Sequence, residues 1–315
     1  MPNPEIGSFK CKPNLKLTCP LVAPKTYNLN IIKIILKVTK LVKAVITAAG
    51  LGTRLLSVTK ELPKEMLPIF FKNGNQLTLK PMLQLIFEQL YSLGIRDFCF
   101  VIGRGKRAIE DHFTKDRTFL EELKSRGKLK EVEILESFYS MLSDSNIVWI
   151  NQSEAKGFGD AVLTAKTCVK DNRFLVVAGD TYIFTENSTH LKELITSNAD
   201  ATLLLKRVKD PSQYGVAFID KKQKRVKKVI EKPSEPLSKL AIMPYYSFSP
   251  EIFEHLSKIK PGVNNEVQLT DAIQSMIDHG KYVSYILLRK AVWLDIGNPA
   301  SYWKALRESY NMSLS

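Results

Sequence analysis

The residue types with the clearest chemistry lie in the run Ala48-Ala49-Gly50-Leu51-Gly52-Thr53-Arg54. Two glycines after a β-branched stretch let the backbone turn tightly and approach an anion closely. The N–H groups of Gly50 to Thr53 are suited to cradle phosphates, and Arg54 adds a charged fork for them. Lys60 and Lys64 follow within the next ten residues. Three cations beside two glycines suit a triphosphate. The third glycine of a dinucleotide-binding fingerprint is missing, and no Gly-Lys-Ser/Thr occurs anywhere, which excludes a Walker A loop. Taken alone, the same stretch also reads as a glycine turn flanked by solvated lysines.

Further residues add to this set. In Asn151–Asp160, Gln152 carries one amide acceptor and two donors, enough to read the edge of a pyrimidine, and Gly157 allows backbone to come close to a base. Asp180 follows the apolar run Arg173–Ala178, and Asp295 lies within Trp293–Pro299. A carboxylate at the end of a strand is well placed to hold Mg²⁺, which prefers oxygen ligands and substrate phosphates. Tyr214-Gly215-Val216 opens one strand, and Val229-Ile230-Glu231-Lys232-Pro233 closes another. A carboxylate such as Glu231 accepts from vicinal hydroxyls, and Lys232 neutralises a phosphate. Thr270 sits in the helix entry Glu266–Asp271. Each has a plainer reading as well: Gln152 as a loop hydrogen bonder, either aspartate as a turn or cap residue, Glu231–Lys232 as a surface charge pair, and Glu266–Asp271 as a helix start with acid in its first turn.

These residues need a scaffold that brings them together. Leu41–Ala48, Asp97–Ile102, Asn146–Ile150 and Arg173–Ala178 read as strands; Pro81–Leu93, Lys106–Arg126 and Asp160–Val169 read as helices between them. Such alternation implies an α/β fold with a mostly parallel sheet covered on both faces. Ligands then bind at the carboxyl ends of the strands, where the glycine loop and Asp180 fall. After residue 200 the apolar runs Ala201–Val208, Gly215–Ile219, Val226–Ile230 and Ile242–Phe248 predict added, partly antiparallel strands, and Pro250–Leu256, Val267–Asp278 and Pro299–Tyr310 predict helices.

Composition excludes other classes. The chain has 315 residues, 44% hydrophobic and 25% charged, values of a folded domain rather than a disordered or fibrous chain. Four scattered cysteines and four histidines without HxxxH spacing argue against a zinc enzyme or a disulfide scaffold. The net charge of +14 is uneven: residues 1–43 hold eight lysines against one acid, half of the total. A nucleic-acid binder carries its basic residues on the folded body, so no nucleic-acid partner is expected. Residues 1–40 form a basic, proline-containing extension ahead of a domain at 41–315. Lys33, Lys37, Lys40 and Lys43 fall at helical spacing, which fits either an amphipathic surface helix or a dispensable extension. No apolar run approaches the ~20 residues of a spanning helix and no secretory leader is evident, so a cytoplasmic protein without a membrane partner is expected.

The run Ala48–Pro68 (AAGLGTRLLSVTKELPKEMLP) resembles the signature of the nucleoside-diphosphate-sugar pyrophosphorylases, and its PKEMLP form is similar to the bacterial and archaeal uridylyltransferase branch. Further motifs of that family recur in order along residues 41–310. The resemblance implies a Rossmann-like nucleotidyltransferase fold. The implied reaction moves the uridylyl group of UTP to glucose 1-phosphate, giving UDP-glucose and pyrophosphate with Mg²⁺ as cofactor. A thymidylyltransferase and a non-catalytic sugar-nucleotide-binding homologue are the alternatives. The resemblance places Arg54, Lys64 and Lys232 in catalysis. It places Ala48, Ala49, Gly50, Gly52, Thr53, Gln152 and Gly157 at the nucleotide, with Gln152 and Gly157 on uracil. It places Tyr214, Gly215, Glu231 and Thr270 at the sugar, and Asp180 and Asp295 at the metal. One departure concerns the sugar: Met243-Pro244 stands where the family has a glycine-containing stretch, removing an N–H donor. Asn73–Gln76 is a longer loop near the lysines, read as a tolerated insertion rather than a lid. Tyr302, Trp303, Leu306 and Tyr310 cluster near one face of the last helix, and a homo-oligomer is expected.

Overall fold

A computed structural model describes residues 42–314 other than Asn75, Asp171, Val263 and Asn264. The extension at 1–40 lies outside the described residues. A nine-stranded mixed sheet forms the centre, in the order β5-β4-β1-β6-β11-β8-β12-β10-β9. Its first half is the parallel unit predicted from the alternation: β1 (Lys43–Ala48) lies between β4 (Asp97–Gly103) and β6 (Phe174–Ala178), and β5 (Asn146–Gln152) flanks β4. β1 and β6 are buried almost throughout, which is why they read as continuous apolar runs rather than alternating ones.

The second half carries the added strands. β8 (Ala201–Arg207), β9 (Val216–Asp220), β10 (Arg225–Ile230), β11 (Leu240–Phe248) and β12 (Val283–Leu288) join through mainly antiparallel pairs. Pro244 is accommodated in β11 because the register with β8 shifts between Met243 and Tyr246, the irregularity at which a proline survives inside a sheet. Met243 is wholly buried in the core.

Two small pairs complete the strand set. β7 (Thr181–Phe184) pairs antiparallel with β13 (Val292–Asp295). β2 (Pro68–Asn73) and β3 (Gln76–Pro81) form a hairpin in which Asn73 pairs with Gln76. The hairpin docks on the last helix, where the Ser309 hydroxyl accepts from the Phe70 amide at 3.2 Å and the Tyr302 hydroxyl donates to the Pro68 carbonyl at 3.0 Å.

Helices cover both faces. α1 (Met82–Ser92) packs beside the parallel strands with almost every residue of its first three turns buried. The predicted helix over 106–126 is instead two: α2 (Arg107–His112) and α3 (Arg117–Ser125), separated because Asp116 caps the second by accepting from the Phe119 amide at 2.9 Å. α4 (Leu129–Ser143) follows, and the helix expected at 160–169 divides at Ala165 into α5 (Phe158–Thr164) and α6 (Lys166–Val169). α7 (Thr189–Thr196), α8 (Ile252–Leu256), α9 (Leu269–Asp278) and α10 (Pro299–Leu314) complete the set. Two apolar clusters result, one on each side of the sheet. Among the described residues, no helix is long and apolar enough to cross a membrane.

Candidate active site

β1 delivers the glycine loop at its carboxyl end. Ala48 and Ala49 are buried, while Leu51 is exposed. Gly52 has φ +70°, and a Cβ there would stand 3.1 Å from the Thr59 side chain, so both conformation and packing require glycine. The Thr59 hydroxyl locks the turn by donating to the Gly52 carbonyl at 2.8 Å. A single 3₁₀ turn, Thr53–Leu55, then carries Arg54. A Cβ on Gly297 would lie 3.2 Å from Asp295 Oδ1 and 3.6 Å from Arg54 Nη2, so Arg54 and Asp295 converge over Gly297.

The two aspartates meet through the β7–β13 pair. Asp295 stands opposite Thr181 in that register, and the Ile296 amide donates to the Asp180 carbonyl at 3.2 Å. Lys64 closes the group, with its Nζ 2.5 Å from Asp180 Oδ2 and 3.5 Å from where a Gly50 Cβ would be. Burial opposes the Asp180 carboxylate, but the neighbouring Lys64 charge and hydrogen bond hold it below its usual range. Burial also opposes the Lys64 cation, and Asp180 and Glu65 more than offset it, so its pKa lies above the ordinary value. Asp295 goes the other way: burial and then the Asp180 charge push it up, and a Ser301 hydrogen bond offsets only part.

The residues expected at the sugar also assemble. The Thr270 hydroxyl donates to Glu231 Oε2 at 2.6 Å. A Cβ on Gly215 would stand 3.0 Å from Thr270 Oγ1 and 3.1 Å from Glu231 Oε2, so that glycine leaves room for the pair. Lys232 has φ +36°, donates its amide to the Tyr214 carbonyl at 3.2 Å, and holds its Nζ 3.5 Å from Glu231 Oε1. Tyr214 links this cluster to the aspartates. Its hydroxyl is pushed up by burial and by Asp295, and its ring stands edge-on to Trp293 at 5.1 Å.

A cleft of about 230 Å³ lies against the glycine loop, lined by Ala49, Leu51, Lys60, Arg104, Gln152 and Ser153 among others. Gln152 is buried, and its amide N–H₂ is committed to Asp160 Oδ2 at 2.6 Å and to the Gly157 carbonyl at 3.3 Å. The sequence reading left both donors available; the structure leaves the carbonyl acceptor. Gly157 has φ +103°, and a Cβ there would meet Glu266 Cβ at 2.7 Å, because the segment is zipped to Val267 by two backbone hydrogen bonds. Lys60 is exposed beside Glu61 and lines this cleft, whereas Lys64 is mostly shielded against Asp180.

Sequence reasoning missed three features here. Gly103 ends β4 so close to the glycine loop that a Cβ would stand 2.8 Å from the Ala49 carbonyl oxygen; the signal was Gly103-Arg104-Gly105 directly after a strand. Gly179 donates its amide to the Thr47 carbonyl at 2.8 Å, which sets the chain direction into Asp180. Glu65 and Lys106 form a buried ion pair at 2.8 Å. Burial pushes the Glu65 carboxyl up, and Lys106 opposes that.

Among the described residues, no three His, Cys, Asp or Glu side chains cluster as a metal cage. Asp180 and Asp295 form a two-carboxylate oxygen set in which the Asp180 charge disfavours that of Asp295. That chemistry fits a small hard dication that completes its shell with water and substrate phosphates.

Comparisons with known proteins place the chain in a family. The family model described as nucleotidyl transferase matches residues 43–311. The chain is 35% identical over 255 residues to a UTP–glucose-1-phosphate uridylyltransferase of Staphylococcus epidermidis, covering 78% of this chain and 85% of that one. It is 40% identical over 252 residues to UTP–glucose-1-phosphate uridylyltransferase 2 of Streptococcus pyogenes serotype M3, covering 76% and 80%. Its fold superposes on a crystal structure of UDP-glucose pyrophosphorylase complexed with UDP-glucose with a TM-score of 0.72 at 28% identity, covering 86% of this chain and 99% of that one. With the glycine loop, the paired aspartates and a match that runs through the whole described domain, this chain belongs to the nucleotidyl transferase family.

Proposed function

We propose that this protein transfers the uridylyl group of UTP to glucose 1-phosphate, releasing pyrophosphate. The observation that carries the reading is the convergence of Arg54, Lys64, Asp180 and Asp295 beside the Gly50–Thr53 loop, with Tyr214 leading from them to Glu231, Thr270 and Lys232. The names of the curated relatives support the choice of UTP and glucose 1-phosphate.

A phosphate oxygen of the sugar phosphate attacks the α-phosphorus of UTP; the bond from that phosphorus to the bridging oxygen breaks, and pyrophosphate leaves opposite the attack. No residue becomes covalently attached, so acceleration comes from positioning and charge neutralisation. The loop amides and Arg54 hold the phosphates that depart. Lys64 neutralises charge that develops between them and Asp180. Lys232 steers the attacking phosphate, and Glu231, oriented by Thr270, accepts from sugar hydroxyls. The free carbonyl of Gln152 accepts from the imide N–H of uracil. Asp180 and Asp295 would hold Mg²⁺, which supplies Lewis-acid neutralisation of the phosphates when bound.

The test is pyrophosphate release with Mg²⁺ across UTP, dTTP, ATP, CTP and GTP against glucose, galactose and N-acetylglucosamine 1-phosphates. Dominant turnover of UTP with glucose 1-phosphate is expected. Another dominant pair moves the specificity, and no release from any pair while nucleotide still binds overturns the enzymatic reading.

A further inference from the structure

Among the described residues, Glu65 and Lys106 are a carboxylate and an ammonium buried almost completely, at 1% and 8% exposure, and the transfer described above uses neither. Removing two charges from water costs several kcal/mol per ion, and an apolar pair of similar size often serves stability as well. Their places in the fold indicate what the pair does instead. Glu65 follows Lys64 in a single 3₁₀ turn, closed by Met66 and Leu67 amides donating to the Pro63 and Lys64 carbonyls. A Cβ on Gly179 would stand 3.4 Å from Glu65 Cγ, so the Glu65 side chain is wedged against the end of β6, one residue before Asp180. Lys106 closes the loop Gly103–Lys106, which presses on the Ala49 carbonyl and helps wall the cleft. Consecutive residues of one short turn thus reach two different strand ends: Lys64 to Asp180 and Glu65 to Lys106.

We propose that the Glu65–Lys106 ion pair is a positioning device that clamps this turn between the β4 loop and the end of β6, and so keeps Lys64 Nζ against Asp180. Both are positioning residues, since neither reaches the reacting atoms. Their consequence for turnover rests on the transferase reading; their effect on Lys64 does not.

The experiment compares wild type with Glu65→Gln, Lys106→Met and the double variant, which removes both charges. Each is labelled with limiting acetic anhydride, and modification at Lys64 is read by mass spectrometry. Lys80, paired with Glu88 at 2.7 Å and equally shielded, is the reference in the same digest. In folded Lys106→Met, which keeps the Glu65 carboxylate beside Lys64, the Lys64-to-Lys80 labelling ratio rises about 5-fold or more, the mark of a locally loosened turn, and in the two variants without that carboxylate it rises further. Where wild type turns over substrate, kcat falls roughly 10²-fold, the effect of a displacement of about 1 Å, with the KM for UTP changing far less. A wild type that turns over no substrate ends the transferase reading and leaves the labelling result to decide the clamp. An unchanged ratio in folded Lys106→Met or in the folded double variant overturns the proposal. So does a double variant that fails to fold, because the pair would then be a requirement of the fold.

Discussion

Lys64 Nζ lies 2.5 Å from Asp180 Oδ2, although 116 positions separate them, while among the described residues Asp295 beside them makes no such ion pair. One carboxylate of the pair is therefore held below its usual pKa range and the other above it. This asymmetry separates the stability roles of two residues that share a proposed function.

Asp180→Asn leaves the shielded Lys64 cation without its partner. The pair keeps 14–20% side-chain exposure, so the loss is set below that of a fully buried pair, at about 2 kcal/mol. The sign follows from both shifts. The lowered Asp180 pKa contributes stability above the unfolded value of 3.8, lost as pH falls through the folded one; the raised Lys64 pKa contributes below 10.5, lost as pH rises through the folded one. The expected melting temperature of Asp180→Asn is thus lower than wild type by a similar amount from pH 5 to pH 9. A difference that varies strongly within that range would contradict the ion-pair account. On the transferase reading its kcat also falls by roughly 10²-fold or more.

Asp295→Asn has the opposite stability effect. Its raised pKa means that the charged form is disfavoured in the fold, a cost that appears as pH rises through the folded value and is absent below the unfolded 3.8. At pH 7 the variant melts above wild type, and the gap closes towards pH 4. Activity is expected to fall as steeply as in Asp180→Asn. A less stable Asp295→Asn protein at pH 7 would show that the Ser301 hydrogen bond outweighs the charge effect.

A third prediction concerns His190. It is 1% exposed, its Nδ1 lies 2.7 Å from the Thr185 hydroxyl, and burial lowers its pKa from 6.5 to about 4. The unfolded chain takes up a proton below pH 6.5 that the fold resists, so stability falls between about pH 6.5 and 4 and then levels. The full effect is about 3 kcal/mol. His190→Asn, which keeps a partner for Thr185, should lose less stability between pH 7 and 5. Equal losses in urea melts of both proteins would remove His190 as the cause.

How far the sequence anticipates this molecule depends on how local each signal is. The parallel unit and the glycine loop are legible because long apolar runs and Gly50–Gly52 spacing are local facts. Asp180 and Asp295 are readable as strand-end carboxylates, yet their neighbours β7 and β13 have four residues each, too short for a period to register. α4 buries Val132, Phe138 and Leu142 of fifteen residues, so its apolar stripe is faint beside its charges. The Glu65–Lys106 pair is invisible because a glutamate and a lysine 41 positions apart look like two solvated surface residues until the fold buries both.

Gln152 gives a prediction about the nucleotide. Its amide N–H₂ donates to Asp160 Oδ2 at 2.6 Å, which leaves its carbonyl as the recognition group. Gln152→Glu would set two carboxylates at that distance and turn the side chain away. The KM for UTP is expected to rise by about tenfold or more, since a lost buried hydrogen bond with an unpaired partner costs 1–3 kcal/mol. Competition assays with dTTP and CTP should show reduced discrimination. Unaltered UTP kinetics in Gln152→Glu would take Gln152 out of the nucleotide site.

Gly215 tests the sugar side with the smallest possible change. A methyl group there would stand 3.0 Å from Thr270 Oγ1 and 3.1 Å from Glu231 Oε2, tighter than ordinary contact. One of the two must move, and their 2.6 Å hydrogen bond stretches with it. The β1 loop and the cleft are built from other elements, so nucleotide binding has no reason to change. Gly215→Ala should therefore raise the KM for glucose 1-phosphate by roughly tenfold, equivalent to about 1.4 kcal/mol, while the Kd for UTP from calorimetry stays near wild type. Thr270→Val removes the same hydrogen bond without adding bulk to the pocket and should act in the same direction. If instead both variants weakened UTP and left the sugar phosphate unaffected, Glu231 and Thr270 would belong to the nucleotide, and the assignment of the two halves of the site would have to be exchanged.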